Sequence, residues 1–103
     1  MQFILVARDA KDDQALERRM SVRDAHLANI KNLIDKGQAL LGAALLDGEK
    51  MCGSVIAFDV PSREYLDEWL KNEPFVTHKV WDEIEITPVR LAPGFEHLTK
   101  KVS

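Results

Sequence analysis

The run Phe3-Ile4-Leu5-Val6-Ala7 gives one short strand large apolar side chains on both of its faces. Ile4 and Val6 share one face; Phe3, Leu5 and Ala7 share the other. A strand that is apolar on both sides belongs in a sheet covered on both sides. At 103 residues the chain forms one domain, and a domain of that size has few elements with which to build two covering layers.

The other elements follow from periodicity. Gln2 to Arg8 is the first strand, and Asp9 to Asp13 reads as a polar connector. From about Asp13 to Lys36 the pattern turns helical: Leu16, Met20, Leu27, Ile30 and Ile34 form an apolar stripe that Leu33 widens. Gly37 supplies a left-handed stop. His26 lies one residue off the stripe, at the edge of the face expected to be buried. The Ser21-Val22 step is a weak helix former and a candidate kink or break in the helix. Ala39 to Leu46 reads as a second strand, Asp47-Gly48 as a hairpin turn, and Lys50 to Val60 as a third strand. Pro61-Ser62 opens a second helix with Leu66, Trp69 and Leu70 on one face, which Pro74 ends at Glu73.

Lys79 to Thr87 completes the set, with Val80, Ile84 and Ile86 pointing one way and Trp81, Glu83 and Glu85 the other. Residues 88–103 read as a tail. The order β-α-β-β-α-β is the split βαβ of a ferredoxin-like α+β fold with an antiparallel sheet. Its two helices cover one face. The open face predicts a homodimer packed sheet against sheet, with Trp81 meeting the partner.

Composition narrows the function. A net charge of −3 and the lack of a basic stripe argue against a nucleic-acid partner. Arg18, Arg19 and Arg23 cluster, but Glu17 and Asp24 are interleaved with them. No apolar run approaches the ~20 residues of a membrane helix, and the Phe3–Ala7 run is too short for a signal peptide. The lone Cys52 forms no internal disulfide and reads as a small buried hydrophobe, so the expected setting is the cytoplasm.

Five residues are candidates for chemistry. Histidine is the side chain whose ordinary pKa lies near neutral pH, so His26 suits a general acid or base; the plainer alternative is a helix-edge histidine bonded to a carbonyl or an acid. Asp35 lies almost opposite it on the helix and Asp24 points elsewhere, so neither is placed to fix its tautomer; Glu73, remote in sequence and just before Pro74, is either a loop-presented carboxylate or an exposed helix-end acid. Arg18 and Arg19 could hold a substrate carboxylate bidentately, or sit on a solvated face paired with Asp13 or Glu17. Ser54 could bind a ligand oxygen beside Gly53, whose missing side chain allows close approach. No serine-hydrolase motif surrounds it. His26, Glu73 and His78 match no standard ligand spacing, so no metal and no cofactor is expected.

These residues also carry a resemblance. The strand Phe3 to Ala7, the run Leu16-Glu17-Arg18-Arg19 through Val22-Arg23 to Ala25-His26-Leu27, Gly53-Ser54, and Glu73-Pro74-Phe75-Val76 resemble the YciI-like (YCII-related) family. The resemblance implies a dimeric α+β barrel and an active site built on a histidine and an aspartate. The histidine falls on His26. Glu73 stands where the family has an aspartate before a proline, and Gly42 is followed by Ala43-Ala44 and a tight turn instead of a longer loop. The implied activity is cofactor-free acid–base chemistry of the isomerase or lyase type on a small organic ligand. The alternative is a non-catalytic ligand-binding or assembly module on the same dimer.

Overall fold

The computed structural model describes residues 1–99. Four strands, β1 (Gln2–Asp9), β2 (Ala39–Asp47), β3 (Lys50–Asp59) and β4 (Trp81–Val89), form one antiparallel sheet in the order β2-β3-β1-β4. Helices α1 (Ala15–Asp35), α2 (Arg63–Lys71) and α3 (Pro74–Thr77) complete the α+β fold, and a 3-10 turn, Glu96–Thr99, follows. The order expected from the sequence is present, with α3 as an addition. Pro74 does not only end a helix; it starts the next one, at the first helical position where its missing N–H costs nothing.

Helix α1 runs unbroken through Ser21-Val22, where the Ser21 hydroxyl donates to the Arg18 carbonyl 2.7 Å away. It closes on Gly37 at φ 71°, with Gly37 N–H bonded to the Ile34 carbonyl and Gln38 N–H to that of Leu33. The Ser62 side chain caps α2 through Tyr65 N–H. Pro88 lies inside β4, which extends past the expected Thr87 to Val89. As an edge strand β4 tolerates a residue without an N–H.

One side of the sheet carries the core. Phe3, Leu5 and Ala7 of β1 and Ile56 and Phe58 of β3 pack against Ile30 and Leu33 of α1, Leu66 of α2 and Phe75 of α3. The opposite side presents Ile4, Val6 and Val55, half-buried, beside exposed Leu41 and Ala43. Gly53 also belongs there. A Cβ on it would come within 2.4 Å of the Ala7 carbonyl oxygen, so the close approach is by the neighbouring strand's backbone, not by a ligand.

Two expectations about faces are overturned. Between Arg8 and Asp9 the β1–β4 register slips: Arg8 pairs with Glu83 but Asp9 pairs with Trp81, leaving Asp82 as the extra residue of a bulge. A one-residue slip moves a side chain to the other face. Trp81 therefore leaves the side of Glu83 and Glu85 and is buried in the core, not at the open face. The same bulge keeps Asp9 inside the strand, where it is buried instead of serving as a connector. The second correction concerns α1. Its buried residues are Ala15, Arg19, His26, Ile30 and Leu33, while Leu16, Met20, Leu27 and Ile34 are exposed. The helix is turned by one residue, about 100°, from the orientation the apolar stripe implies.

Candidate active site

That rotation puts two polar side chains of α1 into the helix–sheet interface. Arg19 is 4% exposed and His26 8%. Burying them is tolerable only if they find partners; the neighbouring elements supply them for both side chains except at Arg19 Nε, which is buried without one among the described residues.

His26 faces α3. Its Nδ1 lies 2.6 Å from Glu73 Oε1, and the Glu73 side chain is fully buried. Glu73 is held by more than the imidazole. Asn29, one turn beyond His26, donates its side-chain amide to the same oxygen at 3.2 Å. The second carboxylate oxygen, Oε2, accepts from Phe75 N–H, which makes Glu73 the N-cap of α3. Three donors converge on one buried carboxylate. Accepting from Nδ1, it leaves the lone pair of the neutral imidazole on Nε2. The ring itself is stacked on Phe75, with centroids 4.0 Å apart and planes at 11°, and meets the Trp81 ring edge-on at 5.8 Å.

Arg19 faces the sheet. Its Nη1 donates to both Asp9 oxygens at 3.0 and 3.1 Å, and its Nη2 donates to Ser54 Oγ at 2.9 Å. Its guanidinium lies 4.7 Å from the Phe75 ring centre, a cation–π contact. Burial pushes the Asp9 carboxyl above its ordinary 3.8, and the charge and hydrogen bonds of Arg19 oppose that rise. Ser54 Oγ also accepts from Trp81 Nε1 at 3.2 Å. Arginine and the indole nitrogen only donate, so both acceptor positions of the Ser54 hydroxyl are occupied. Its own proton is left to point elsewhere.

Beside these groups lies a cavity of about 360 Å³ between α1 and the β2–β3 edge, within the range of small-molecule sites. His26, Ser54, Arg19 and Phe75 line one side of it. Leu27, Ile34, Leu40, Met51 and Ile56 supply apolar walls. Arg23, half-buried one turn beyond Arg19, also lines it. The cavity is thus mostly apolar with a few convergent polar groups.

Of the sequence candidates, His26, Glu73, Arg19 and Ser54 are brought together. Arg18 is not: it donates to both Asp12 oxygens and to the Lys79 carbonyl, and borders a separate surface groove. His78 is exposed in that same groove, with Nδ1 3.2 Å from the Pro74 carbonyl. Among the described residues no group of three or more His, Cys, Asp or Glu side chains is placed to hold a metal. Asp9, Arg23, Asn29, Phe75 and Trp81 were not candidates. Phe75 and the Glu73 cap had a signal in Glu-Pro-Phe, an acid at N-cap before proline at N1. Asn29 had one in its place three residues after His26. Asp9 and Trp81 had none, because a bulge creates their meeting.

Comparison with known proteins identifies the family and the fold. The sequence model of the YCII-related domain matches residues 1–90. Protein YciI of Escherichia coli O6:H1 is 29% identical over 97 residues, covering 87% of this chain and 97% of the relative. The Xenovulene A biosynthesis cluster protein asL2 of Sarocladium schorii is 34% identical over 74 residues, covering 61% of this chain and 64% of that protein. Among solved structures, the 5-chloro-2-hydroxyhydroquinone dehydrochlorinase TftG of Burkholderia phenoliruptrix AC1100, in complex with 2,5-dihydroxybenzoquinone, superposes with a TM-score of 0.77 at 20% identity, covering 89% of this chain and 96% of that one. Rv0793 of Mycobacterium tuberculosis gives 0.53 at 14% identity, covering 91% and 99%.

Proposed function

The chain belongs to the YCII-related family, and from that premise we propose that it is an enzyme of acid–base chemistry acting on a small organic molecule. His26 is its proton-transfer group and Glu73 the carboxylate that orients it. The observation that carries this reading is the buried 2.6 Å contact between His26 Nδ1 and Glu73 Oε1, on a ring that lines a mostly apolar cavity. A histidine whose one nitrogen is fixed by a carboxylate presents the other as a base of defined tautomer. The Phe75 stack holds the ring plane, so the base is positioned before a substrate arrives.

In the proposed reaction Nε2 takes a proton from a C–H or O–H next to a carbonyl or ring. The released electron pair forms a double bond. Either a leaving group departs, or the proton returns to a different atom from the same imidazole. The Ser54 hydroxyl, with both lone pairs taken, donates to the substrate oxygen on which charge develops. Arg19, neutralised by Asp9, positions Ser54 and does not itself meet the substrate's charge. The dehydrochlorination named for TftG is an elimination of this general kind, and it supports the class of reaction, not the substrate.

We further propose that two copies pair through the open sheet face of Ile4, Val6, Val55 and Ala43, because an apolar sheet face of this kind calls for a cover. The lone Cys52 suits a reducing cytoplasm. Among the described residues no helix is long and apolar enough to cross a membrane.

Proton exchange tests the reading without the natural substrate in hand. Cyclic ketones, lactones and hydroxyquinones are incubated with the protein in heavy water, and deuterium uptake at their acidic C–H positions is followed by NMR. At least one class exchanges faster with wild type; His26→Ala abolishes the acceleration, and Glu73→Gln lowers it on the order of a hundredfold. Acceleration that survives His26→Ala, or none with any class, overturns the reading.

A further inference from the structure

The three arginines of α1's N-terminal half meet three different fates. Arg18 is tied to Asp12, and Arg19 to Asp9. Arg19 and Arg23 both line the cavity beside His26, and of the two only Arg23 forms no ion pair among the described residues. The apolar walls offer a charged side chain no counter-ion, and a half-buried guanidinium against such walls holds an unbalanced positive charge. The Asp9–Arg19 pair is neutral, so it balances nothing.

We propose that the cavity binds an organic anion with an apolar, ring-sized body: Arg23 holds the charged group, and Ser54 donates to a second oxygen. This deepens the acid–base reading and rests on it. The charge arithmetic favours the same answer at both ends of the reaction. When His26 takes up the substrate proton, the imidazolium is balanced by Glu73, and the extra negative charge left on the ligand faces Arg23 and the Ser54 hydroxyl. A guanidinium suits the task because its planar fork meets carboxylate or phenolate oxygens with paired hydrogen bonds. The position suits it as well. Arg23 lies four residues after Arg19 and three before His26, on the side of α1 where Leu27 and Ile34 continue the cavity wall. The anionic end is therefore held on the helix side, and the ring lies against Phe75, Ile56 and Met51.

The experiment uses matched pairs on the intact chain: benzoate against benzamide for a carboxylate, and 2,5-dihydroxybenzoquinone against its dimethyl ether for an ionised ring hydroxyl. Affinities are read by NMR titration of backbone amides at millimolar ligand. The anion of at least one pair binds about tenfold or more tightly than its neutral match, with shifts at Arg23, His26 and Ser54. Which pair responds distinguishes carboxylate from phenolate. Arg23→Gln erases the preference and Arg23→Lys keeps part of it. Arg23→Gln breaks no ion pair among the described residues, so the fold is not at risk. Equal binding within both pairs, or no binding by either anion, overturns the proposal. So does a preference that survives Arg23→Gln but vanishes in His26→Gln, because that assigns the charge to the imidazolium. Deuterium exchange is read separately: its absence with the anion preference intact refutes the proton-transfer reading and leaves the anion site standing.

Discussion

The two long sides of α1 are dressed the opposite way from an ordinary amphipathic helix. The side against the sheet buries Arg19 and His26, while the side turned outward exposes Leu16 at 37% and Met20 at 51%. Apolar area alone would rotate the helix the other way, since each large apolar side chain brought fully inside is worth about 1.5–3 kcal/mol. What holds the observed rotation is the partners waiting on the other elements: Asp9 on β1, Ser54 on β3, Trp81 on β4 and Glu73 at the start of α3. Ile30 and Leu33 still enter the core, so the inward side keeps an apolar half. The N-terminal half of the buried face serves the site, and the C-terminal half serves the fold.

The largest expected effect comes from breaking the inward side. Arg19→Met removes the guanidinium and leaves Asp9 buried without its counter-charge, which costs about 3–5 kcal/mol. Urea unfolding checks this through the shift in midpoint at unchanged slope. Replacing Asp9 as well, by Leu, recovers most of the loss, because the cost lies in the stranded charge. A single variant that unfolds like wild type would mean that the pair does not fix the helix.

Trp81→Phe probes the same side more gently. It keeps an aromatic ring in the core and removes the Nε1 donor to Ser54. The expected loss is about 0.5–1.5 kcal/mol, that of one hydrogen bond. It should also free an acceptor position on Ser54, so that the hydroxyl no longer serves only as a donor and the His26-dependent exchange rate falls. The outward side should answer differently again: Met20→Glu changes stability by no more than about 0.5 kcal/mol, as surface substitutions do.

This contrast also decides what could be read from the sequence. The order of strands and helices was legible because each element carries its own period, and the Gly37 and Ser62 signals mark helix ends by local chemistry. His26 and Glu73 could be named as a pair only from the resemblance, which sets an acid before proline beside the histidine. The rotation of α1 was not legible. A hydrophobic stripe records how many apolar residues share a side, and it holds no record of the acids on distant strands that draw Arg19 inward. Trp81 failed for a related reason: alternation along β4 assumes constant register, and the bulge at Asp82 breaks it. The sequence shows three clustered arginines, but which of them is neutralised depends on Asp9 and Asp12, both placed by tertiary structure.

Arg18 stands between the two sides of α1 and gives the smallest effect and the sharpest pH signature. It is partly exposed, and its hydrogen bonds to Asp12 hold that carboxyl down at about 2, below the ordinary 3.8. A carboxyl with a lowered folded-state value contributes stability above its unfolded value and loses it as pH falls. The contribution of Asp12 is therefore complete above about pH 4, shrinks below it, and is gone once the pH passes below about 2. Asp12→Asn removes it at every pH. The difference in unfolding midpoint between wild type and this variant should be small and constant from neutral pH down to about 4, then close to nothing near 2. Salt should shrink it further, because the pair is open to solvent. A difference that stays constant through that range would place the Arg18 interaction elsewhere, and would return Arg18 to the question of which arginine serves the cavity.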